Sequence, residues 1–260
     1  VGFAVAEPVD EAMIRTFDDW LAQGRHAGMA YMQNHGEIRR DPRLLLEGAR
    51  TIISMAFNYT LADNIDNDSP HISAYAYIPD YHYLLRDLIR AAALEELLGL
   101  EGEGWRICVD SAPIFERYWA RRAGIGTIGA NGALSVPGVG SQVFLAEIVT
   151  TTALTDEEGM VGNSVVSCIE CGRCVRECPS GALQADATID ANRCLSYLTI
   201  EHRGDWTDPR QRAAISTDAG RNTLFGCDHC LTCCPLNADT PTTRLPLNRL
   251  ATITPRDLQT

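Results

Sequence analysis

The chain has 260 residues, with 34 acidic and 22 basic side chains and a formal net charge of −12 at pH 7. Broad affinity for nucleic acids comes from basic surfaces that neutralise phosphates, so this balance argues against a general nucleic-acid-binding protein. The hydrophobic content is 45%, and no run approaches the roughly 18 apolar residues of a membrane span. We expect a soluble protein with one large and one small domain, because the length exceeds the ~150 residues typical of a single domain.

The first 150 residues alternate between predicted helices and strands. Apolar residues recur at helical spacing from Pro8 to Gly24, and Asp41-Pro42 has the pattern of a helix cap followed by a first helical position. The further predicted elements are strands at 51–57, 72–78, 105–110 and 141–150 and helices at 83–98 and after Pro113. This alternation favours a sheet covered by helices.

Two groups of arginines are the only basic clusters in this region. We interpret both as solvated faces paired with nearby acids, although either would also suit a local phosphate contact. They are Arg39, Arg40, Arg43 and Arg50, and Arg117, Arg121 and Arg122.

Beyond Asn163 the pattern changes to short helices and loops interrupted by cysteines, which places a domain boundary near residues 155 to 165. Ten cysteines, mostly crowded into one third of a long chain, differ from the even disulfide framework of a small secreted domain. A reducing compartment, and therefore the cytoplasm, and metal ligation fit this distribution better.

The cysteines of this second region carry the strongest signal. Cys168, Cys171, Cys174 and Cys178-Pro179 reproduce the C-x2-C-x2-C-x3-C-P run of two-cluster bacterial ferredoxins, in which the fourth cysteine ligates the other cluster. Downstream lie a C-x2-C-x3-C-P group and, between the two groups, a single cysteine. The spacing therefore predicts two [4Fe-4S] clusters with one crossed ligand each. Cluster one takes Cys168, Cys171, Cys174 and Cys234; cluster two takes Cys178, Cys194, Cys227 and Cys230.

Alternatives exist for some of these cysteines. Pairs of the form C-x2-C also hold zinc, but zinc sites do not require the longer run. Cys233 adjoins Cys234 and is a rival ligand, although the proline after Cys234 matches the proline after Cys178. Cys108 lies in an apolar strand and is interpreted as a buried small hydrophobe.

A glycine-rich segment, Gly124-Ile-Gly126-Thr-Ile-Gly129, matches the dinucleotide fingerprint G-x-G-x-x-G. It follows a helical pattern rather than a strand, and no helix pattern begins after it. We therefore reject dinucleotide binding and expect the glycines to let the backbone approach a flat cofactor closely.

Several segments resemble epoxyqueuosine reductase, and the resemblance spans nearly the whole chain. The segments are 28–32, 41–44, 80–82, 110–117, 123–132, 193–201 and 226–230. That family implies an α+β fold, in which a nitroreductase-like cobalamin domain precedes a two-cluster ferredoxin-like module. On this basis we assign residues 1–160 to a cobalamin-binding catalytic domain, 161–240 to the module and 241–260 to a C-terminal tail.

The resemblance also implies the chemistry: reduction of epoxyqueuosine to queuosine at the wobble position of tRNA, the last step of queuosine synthesis. Cobalamin reduced through the two clusters would attack an epoxide carbon while an acid protonates the oxygen. The implied partners are tRNA and an external low-potential electron donor such as a flavodoxin or ferredoxin, with no membrane, and we expect a monomer. No Asp-x-His-x-x-G motif occurs, so we expect no histidine as lower cobalt ligand.

Asp110 is the predicted proton donor, since it ends a strand and matches the family's acid; the alternative is that it only caps the helix after Pro113. The predicted cofactor-binding residues are Tyr81, His82, Ser111, Gly124, Gly126, Gly129, Asn131 and Ser196. The chain departs from the family at Ala74, Thr127 and Ala130, where arginine, tryptophan and lysine are usual. Two other functions stay open: a cobalamin-dependent reductase of a small molecule, related to the dehalogenases, and a non-catalytic electron carrier.

Overall fold

The computed structural model describes residues 1–62, 70–92, 96, 99–100, 104–154, 168–184 and 186–248. The strands are β1 (Gly2–Val5), β2 (Thr51–Asn58), β3 (His71–Ile72), β4 (Trp105–Cys108), β5 (Thr127–Ile128), β6 (Leu134–Ser135), β7 (Val143–Thr150) and β8 (Thr223–Phe225). The α-helices are α1 (Glu11–Ala22), α2 (Gly36–Arg40), α3 (Tyr81–Ala91), α4 (Glu116–Arg122), α5 (Arg173–Arg176), α6 (Leu195–Ile200), α7 (Pro209–Ile215), α8 (Asp218–Arg221) and α9 (His229–Thr232). Short 3-10 turns occupy Ala30–Met32, Pro42–Leu44, Ala74–Tyr77 and Pro235–Asn237.

A four-stranded antiparallel sheet in the order β1-β2-β7-β4 forms the centre of the first region. Its two middle strands pair along their full length, from Thr51 opposite Thr150 to Asn58 opposite Val143. Both are rich in β-branched and apolar residues and are buried over most of their length, as expected for strands covered on both faces.

Helices cover both faces of this sheet. On one face α3 contributes Leu85 and Ile89 to an apolar cluster that includes Ile53 and Ile148. On the other face α4 lays the fully buried Trp119 against Ile52 and Val149. Each face thus has its own core, and the end of β4 lies between α3 and α4, which places Asp110 beside both helices.

The cysteine-rich region is attached to the first region by backbone pairing and by one buried carboxylate. β3 pairs in parallel with β8. Asp228, which is 4% exposed, accepts hydrogen bonds from the Ser73 hydroxyl at 2.5 Å and from the Ala74 amide at 2.6 Å. On the opposite side, the Trp20 indole donates to the Ile189 carbonyl and the Tyr197 hydroxyl accepts from the Gly28 amide. Asp228 therefore joins a cysteine-bearing loop to the turn that follows β3.

Replacing Asp228 with alanine should weaken this junction, because two buried donors then lose their acceptor. Each unsatisfied buried group costs about 1–3 kcal/mol. We expect a loss of about 3 kcal/mol, which corresponds to a fall of roughly 6–12 °C in the Tm of the cluster-loaded protein measured by calorimetry. Asp205→Ala, at an exposed position of the same region, is the control. Equal Tm values for the two variants would contradict the role given to Asp228.

Several predicted elements need correction. The segment 72–78 is not a second strand: the Asp228 contacts hold residues after Ser73 in a 3-10 turn, Ala74–Tyr77. The helix expected from Pro8 begins at Glu11, because the Ala6 and Val9 amides donate to the carbonyls of Arg50 and Arg40 in an extended conformation.

Two further helix boundaries also differ from the prediction. The helix expected at 83–98 begins at Tyr81, where the Asp80 side chain accepts from the His82 amide as an N-cap; in its last part, residues 93–95 and 97–98 lie outside the described residues. The helix expected at Pro113 begins only at Glu116. Asp41 does cap the short turn that starts at Pro42, by accepting from the Arg43 amide.

The expected domain boundary at 155–165 lies outside the described residues. The start of the predicted tail packs back onto the first region: the Thr243 amide donates to the Thr60 carbonyl and the Asn248 amide to the Tyr77 carbonyl. In the part of the chain that the structure describes, no helix combines the length and the apolar character needed to cross a membrane.

Candidate functional site: two cysteine sets and the Asp110 loop

All ten cysteines are unpaired, and nine of them, all except Cys108, are partly buried within residues 168–234. The first predicted set surrounds one cavity, which is lined by Cys168, Cys171, Cys174 and Cys234. Burial and electrostatic repulsion from Cys168 and Cys234 raise the pKa of the Cys174 thiol. Four cysteines around one space provide the donor set that an iron–sulfur cluster requires.

The second predicted set also gathers in one place. Burial raises the pKa of Cys227 to about 12, and repulsion from Cys194 and Cys178 adds to the effect. Burial likewise raises the pKa of Cys230, helped by Cys227, Cys194 and Cys178. The four thiols of this set are therefore neighbours in space, although up to 52 residues separate them in the sequence. The arrangement fits the crossed assignment predicted from the spacing.

Two other cysteines were left out of these sets. Cys234, rather than its neighbour Cys233, lines the cavity of the first set. Cys108 is 1% exposed in β4, and burial and the nearby Glu147 raise its pKa to about 12. In the described residues, no three His, Cys, Asp or Glu side chains converge at the spacing of a single metal ion.

Asp110 follows β4, and its side chain reaches the surface of the protein. Its backbone has a left-handed conformation with φ of +57°, which aspartate adopts more readily than most residues. The side chain is 54% exposed, and Oδ2 accepts from the Tyr81 hydroxyl at 2.6 Å and lies 3.1 Å from His82 Nε2. The helix after Pro113 begins at Glu116, and no side chain caps it. The structure therefore does not support the alternative in which Asp110 only caps this helix.

Tyr81 and His82, both predicted as pocket residues, hold this carboxylate. The Tyr81 ring stacks on Phe144 with centroids 4.3 Å apart. Burial and the charge of Asp110 raise the pKa of Tyr81, so its hydroxyl keeps its proton and donates it in the hydrogen bond. His82 lies between two carboxylates, with Nδ1 2.8 Å from Asp80. The neighbouring Ser111 hydroxyl accepts from Arg86 at 2.9 Å.

Glu116 is a residue of this site that the sequence did not single out. Its Oε1 accepts the Asp110 amide at 2.6 Å, which stabilises the unusual backbone conformation of Asp110. Burial and the charge of Asp110 raise the pKa of Glu116 to about 7, although the Asp110 amide, Arg117 and Arg39 partly oppose this. A signal was present in the sequence, since Glu116 lies in the segment 110–117 that carries the family resemblance.

The glycines of the segment 124–129 pack against other parts of the chain, whereas the sequence led us to expect that they approach a flat cofactor. A Cβ atom on Gly126 would lie 2.4 Å from the Ser135 carbonyl oxygen, so this glycine is required by the close approach of β6. Gly124 has φ of +73° and ends α4. Gly129 and Asn131 line the cavity of the first cysteine set, and Asn131 donates to the Cys230 carbonyl. The chain's own packing thus explains these residues, and a cofactor role for them stays a prediction.

The residues at which the chain departs from the family lie near the cysteine sets. The remaining predicted cofactor-binding residue, Ser196, lies there too. Ala74 is 7% exposed, with its amide bound to Asp228, so the position has no room for a solvated arginine. Ala130 lines the first cavity, and Thr127 lies in β5. Ser196 lies in the first turn of α6, two residues after Cys194, and bonds that thiol through its amide.

Three of the seven arginines in the two groups pair with acids, as predicted. Arg40 bonds Asp18, Arg43 bonds Asp41, and Arg122 bonds Glu7. Arg39 differs from these arginines, because its side chain is partly buried and interacts electrostatically with Glu116 and Tyr31.

Aromatic side chains link the Asp110 loop to the second cysteine set, since the Tyr75 ring lies 6.4 Å from the ring of Tyr81, which bonds Asp110. Burial raises the pKa of Tyr75 to about 12, and the charges of Asp228, Asp110 and Glu201 add to this, so Tyr75 lies within electrostatic reach of both ends. Its ring centroid is 6.0 Å from that of Phe225, which is 37% exposed two residues before Cys227. Exposed aromatic surface between an acid and a buried thiol set suits a flat, redox-active cofactor. These residues therefore fit such a group.

Two family models match the chain. The model described as "4Fe-4S double cluster binding domain" matches residues 167–237. The model described as "Epoxyqueuosine reductase QueG, DUF1730" matches residues 39–111. The first covers both cysteine sets, and the second ends at the Asp110 loop.

Curated relatives have the same family name. An epoxyqueuosine reductase of Cyclobacterium marinum is 40% identical over 227 residues, which cover 85% of this chain and 69% of the relative. An epoxyqueuosine reductase of Leadbetterella byssophila is 35% identical, covering 91% of this chain and 74% of the relative.

Solved structures agree with these matches. The epoxyqueuosine reductase of Streptococcus thermophilus superposes with a TM-score of 0.78 at 28% identity, covering 99% of this chain and 70% of that one. An epoxyqueuosine reductase bound to an epoxyqueuosine-modified tRNA stem loop gives a TM-score of 0.76 at 27% identity, with the same coverage. By identity and coverage, and with a mixed α and β fold that carries a double-cluster domain, the chain belongs to the epoxyqueuosine reductase family of oxidoreductases.

Proposed function

We propose that this epoxyqueuosine reductase converts epoxyqueuosine in tRNA to queuosine, with Asp110 as the proton donor and cobalamin as the cofactor. The observation that carries the proposal is the position of Asp110: its carboxylate is held by Tyr81 and His82, and the rings of Tyr75 and Phe225 lie between it and the second cysteine set. A relative solved with epoxyqueuosine-modified tRNA supports the substrate. An epoxyqueuosine reductase from Bacillus subtilis, described with its aspartate-bearing catalytic loop swung out of the active site, supports the role of Asp110. Its structure superposes with a TM-score of 0.67 at 28% identity, and the match covers 94% of this chain and 64% of that one.

The reaction removes one oxygen atom from the substrate. Two carbon–oxygen bonds break, an alkene forms, and the oxygen leaves as water after it takes up two protons and two electrons. Iron–sulfur clusters release electrons one at a time, so a two-electron carrier is needed between the clusters and the epoxide. When bound, cobalamin would supply a nucleophilic metal centre for the epoxide carbon and deliver both electrons there.

The chain's own residues bind the groups and move the protons. Tyr75 and Phe225 would contact the flat cofactor, in a catalytic domain that we propose to be nitroreductase-like. Asp110 would protonate the epoxide oxygen as the bond opens. Tyr81 and His82 orient the Asp110 carboxyl, since both contact the same oxygen, Oδ2, and leave Oδ1 directed to the substrate.

The electrons would enter through the two clusters from an external low-potential donor such as a flavodoxin or ferredoxin. We propose the eight assigned cysteines as ligands, because each set gathers around its own space. We further propose that the protein acts as a monomer in the cytoplasm, where reducing conditions preserve unpaired thiols.

One experiment tests the cofactor and the substrate together. The purified protein is reconstituted with iron and sulfide, incubated with cobalamin and desalted; we expect cluster absorbance and retained corrinoid absorbance. The reduced holoprotein is then given epoxyqueuosine-containing tRNA, which is digested and analysed by mass spectrometry for queuosine. Clusters without retained cobalamin would refute the cofactor, and unchanged epoxyqueuosine with a competent cofactor would favour a small-molecule reductase.

A further inference from the structure

His82 contacts two carboxyl groups at once, and the proposed mechanism uses it only to orient Asp110. Its Nδ1 atom lies 2.8 Å from Oδ1 of Asp80, and its Nε2 atom lies 3.1 Å from Oδ2 of Asp110. Both oxygen atoms are hydrogen-bond acceptors, and a neutral imidazole has only one N–H group to offer them. The imidazolium has two N–H groups, so it satisfies both contacts at once. This geometry favours the form of His82 that carries an extra proton.

Asp80 connects His82 with solvent. It is the residue before α3, its side chain is 57% exposed, and its Oδ1 atom also accepts the His82 amide as the N-cap of the helix. Asp80 therefore holds the Nδ1 side of the imidazole and leaves Nε2 directed to Asp110. The His82 side chain is itself partly exposed, so solvent can restore a proton that it gives up. A path of direct side-chain contacts thus runs from the surface to the Asp110 carboxyl group.

Tyr81 is the other partner of the same Asp110 oxygen, at 2.6 Å, and is a poorer source of protons. Burial and the charge of Asp110 raise the pKa of Tyr81, so its hydroxyl donates a hydrogen bond and keeps its proton. Its ring stacks on those of His82 and Phe144, with centroids 4.2 and 4.3 Å away. Histidine, in contrast, is the side chain that gains and loses a proton between about pH 5 and 8. Of the two groups that touch Oδ2, His82 is the better proton source.

The charged or titratable groups around His82 come from the start of α3, the loop after β4 and α4. They are Asp80 and Tyr81 at the start of α3, Arg86 one turn later, Asp110 on the loop, and Glu116 on α4, which accepts the Asp110 amide. In this set three carboxyl groups face one guanidinium. The surroundings therefore favour a positive charge on the imidazole.

We propose that His82 supplies the second proton of each turnover, through Asp110. The proposal rests on the proposed function, in which one oxygen atom takes up two protons and two electrons and leaves as water. The electrons come from the external donor, and Asp110 holds one proton at a time. Asp110 gives its proton to the epoxide oxygen as the first carbon–oxygen bond breaks, which leaves a carboxylate on the protein and a hydroxyl group on the substrate.

His82 then passes its Nε2 proton to Oδ2 of Asp110 across the 3.1 Å contact. Rotation about the soft terminal torsion of aspartate exchanges its two oxygen atoms, so this proton reaches the substrate side. Asp110 gives it to the hydroxyl group, which leaves as water as the second carbon–oxygen bond breaks. Solvent restores both protons after the product leaves. His82 acts through Asp110 and does not itself touch the substrate.

His82→Gln separates proton supply from orientation, because the glutamine amide still donates a hydrogen bond to Asp110 but cannot release a proton. We expect single-turnover conversion of epoxyqueuosine-containing tRNA to slow by about 10²-fold, the low end of the effect of acid–base groups. The wild-type rate should also fall as pH rises between about 5 and 8, because His82 loses its proton there. The variant should lack this fall. His35→Gln, at an exposed position, is the control and should keep the wild-type profile.

Asp80→Asn tests the charge that stabilises the proton on His82. Asparagine caps a helix about as well as aspartate, so α3 should persist. The variant removes the negative charge beside Nδ1, and the single-turnover rate at pH 7 should fall by about two- to fivefold, as expected of a partly exposed ion pair. Asp87→Asn makes the same change on the exposed side of α3 and should leave the rate unchanged.

Diethyl pyrocarbonate provides a readout that does not depend on turnover, because it modifies neutral imidazole and spares imidazolium. In the cluster-loaded protein at pH 7, peptide mass spectrometry should find His82 modified about two- to fivefold faster in Asp80→Asn than in Asp87→Asn. Equal modification rates in these variants, or a wild-type rate of conversion by His82→Gln, would overturn the proposal. The proposed function fails separately, since it requires the wild type to form queuosine and Asp110→Asn not to, whatever the His82 and Asp80 variants do.

Discussion

Asp110→Asn should reduce queuosine formation by about 10²–10⁴-fold, while both cofactors stay bound. Asparagine keeps the size of the side chain and accepts the Tyr81 hydrogen bond through its carbonyl oxygen, so the local structure should persist. It cannot release a proton to an alkoxide that forms as the epoxide opens. Single-turnover conversion of epoxyqueuosine-containing tRNA by the fully reduced variant is the appropriate measurement.

The matched control for this variant is Asp87→Asn on the exposed side of α3. It makes the same chemical change outside the candidate site and should keep wild-type turnover. Iron content and bound cobalamin are measured in both variants to separate lost chemistry from lost cofactor. Full turnover by Asp110→Asn would remove this residue from the mechanism and would point to His82 as the group to examine next.

Cys234→Ala should lower the iron content from about eight to about four atoms per chain, because one cluster loses a ligand. The prediction follows from the cavity that Cys168, Cys171, Cys174 and Cys234 share. Anaerobic iron and sulfide analysis, with electron paramagnetic resonance of the reduced protein, would count the remaining clusters. We expect one cluster signal, and no queuosine, since the electron path is broken.

The adjacent residue provides the control, since Cys233→Ala should keep about eight iron atoms and wild-type turnover. A crossed ligand makes a further demand: Cys178→Ala should remove the other cluster, although Cys178 belongs to the same C-x2-C-x2-C-x3-C run as the first set. If Cys178→Ala and Cys174→Ala instead destroyed the same cluster, the crossed assignment would be wrong.

The double-cluster domain could be predicted because iron–sulfur ligation depends on local spacing, and a family model matches it at residues 167–237; which cysteines bind which cluster stays a prediction. Strands with continuous apolar patterns, such as Thr51–Asn58 and Val143–Thr150, were also predicted close to their bounds. The 3-10 turn Ala74–Tyr77 was missed because a carboxylate 154 residues away, Asp228, determines its conformation. Local patterns carry no information about such a contact.

In the candidate site, too, some residues could be predicted from local sequence patterns and others could not. Asp110 was predicted from the end of a strand and from the family resemblance, and Tyr81 and His82 lie in the segment 80–82 that shares this resemblance; their roles stay predictions. Glu116 and Glu147 were not predicted, because an acidic residue in a sequence reads as exposed unless its surroundings are known. Glu147 in particular is placed among apolar residues on a strand, and only the three-dimensional packing shows that its carboxyl group is fully buried with no hydrogen-bond partner among the described residues.

The position of Asp228 between Cys227 and Cys230 affects how the protein matures. Metal binding to a loop fixes a conformation that the free chain does not hold. This loop supports the turn that carries Tyr75, whose ring packs beside Tyr81 and Phe225. A newly made chain that lacks iron would therefore have a poorly formed substrate site. Such a chain should bind tRNA weakly, which keeps immature, redox-inactive molecules from competing with the finished enzyme for its substrate.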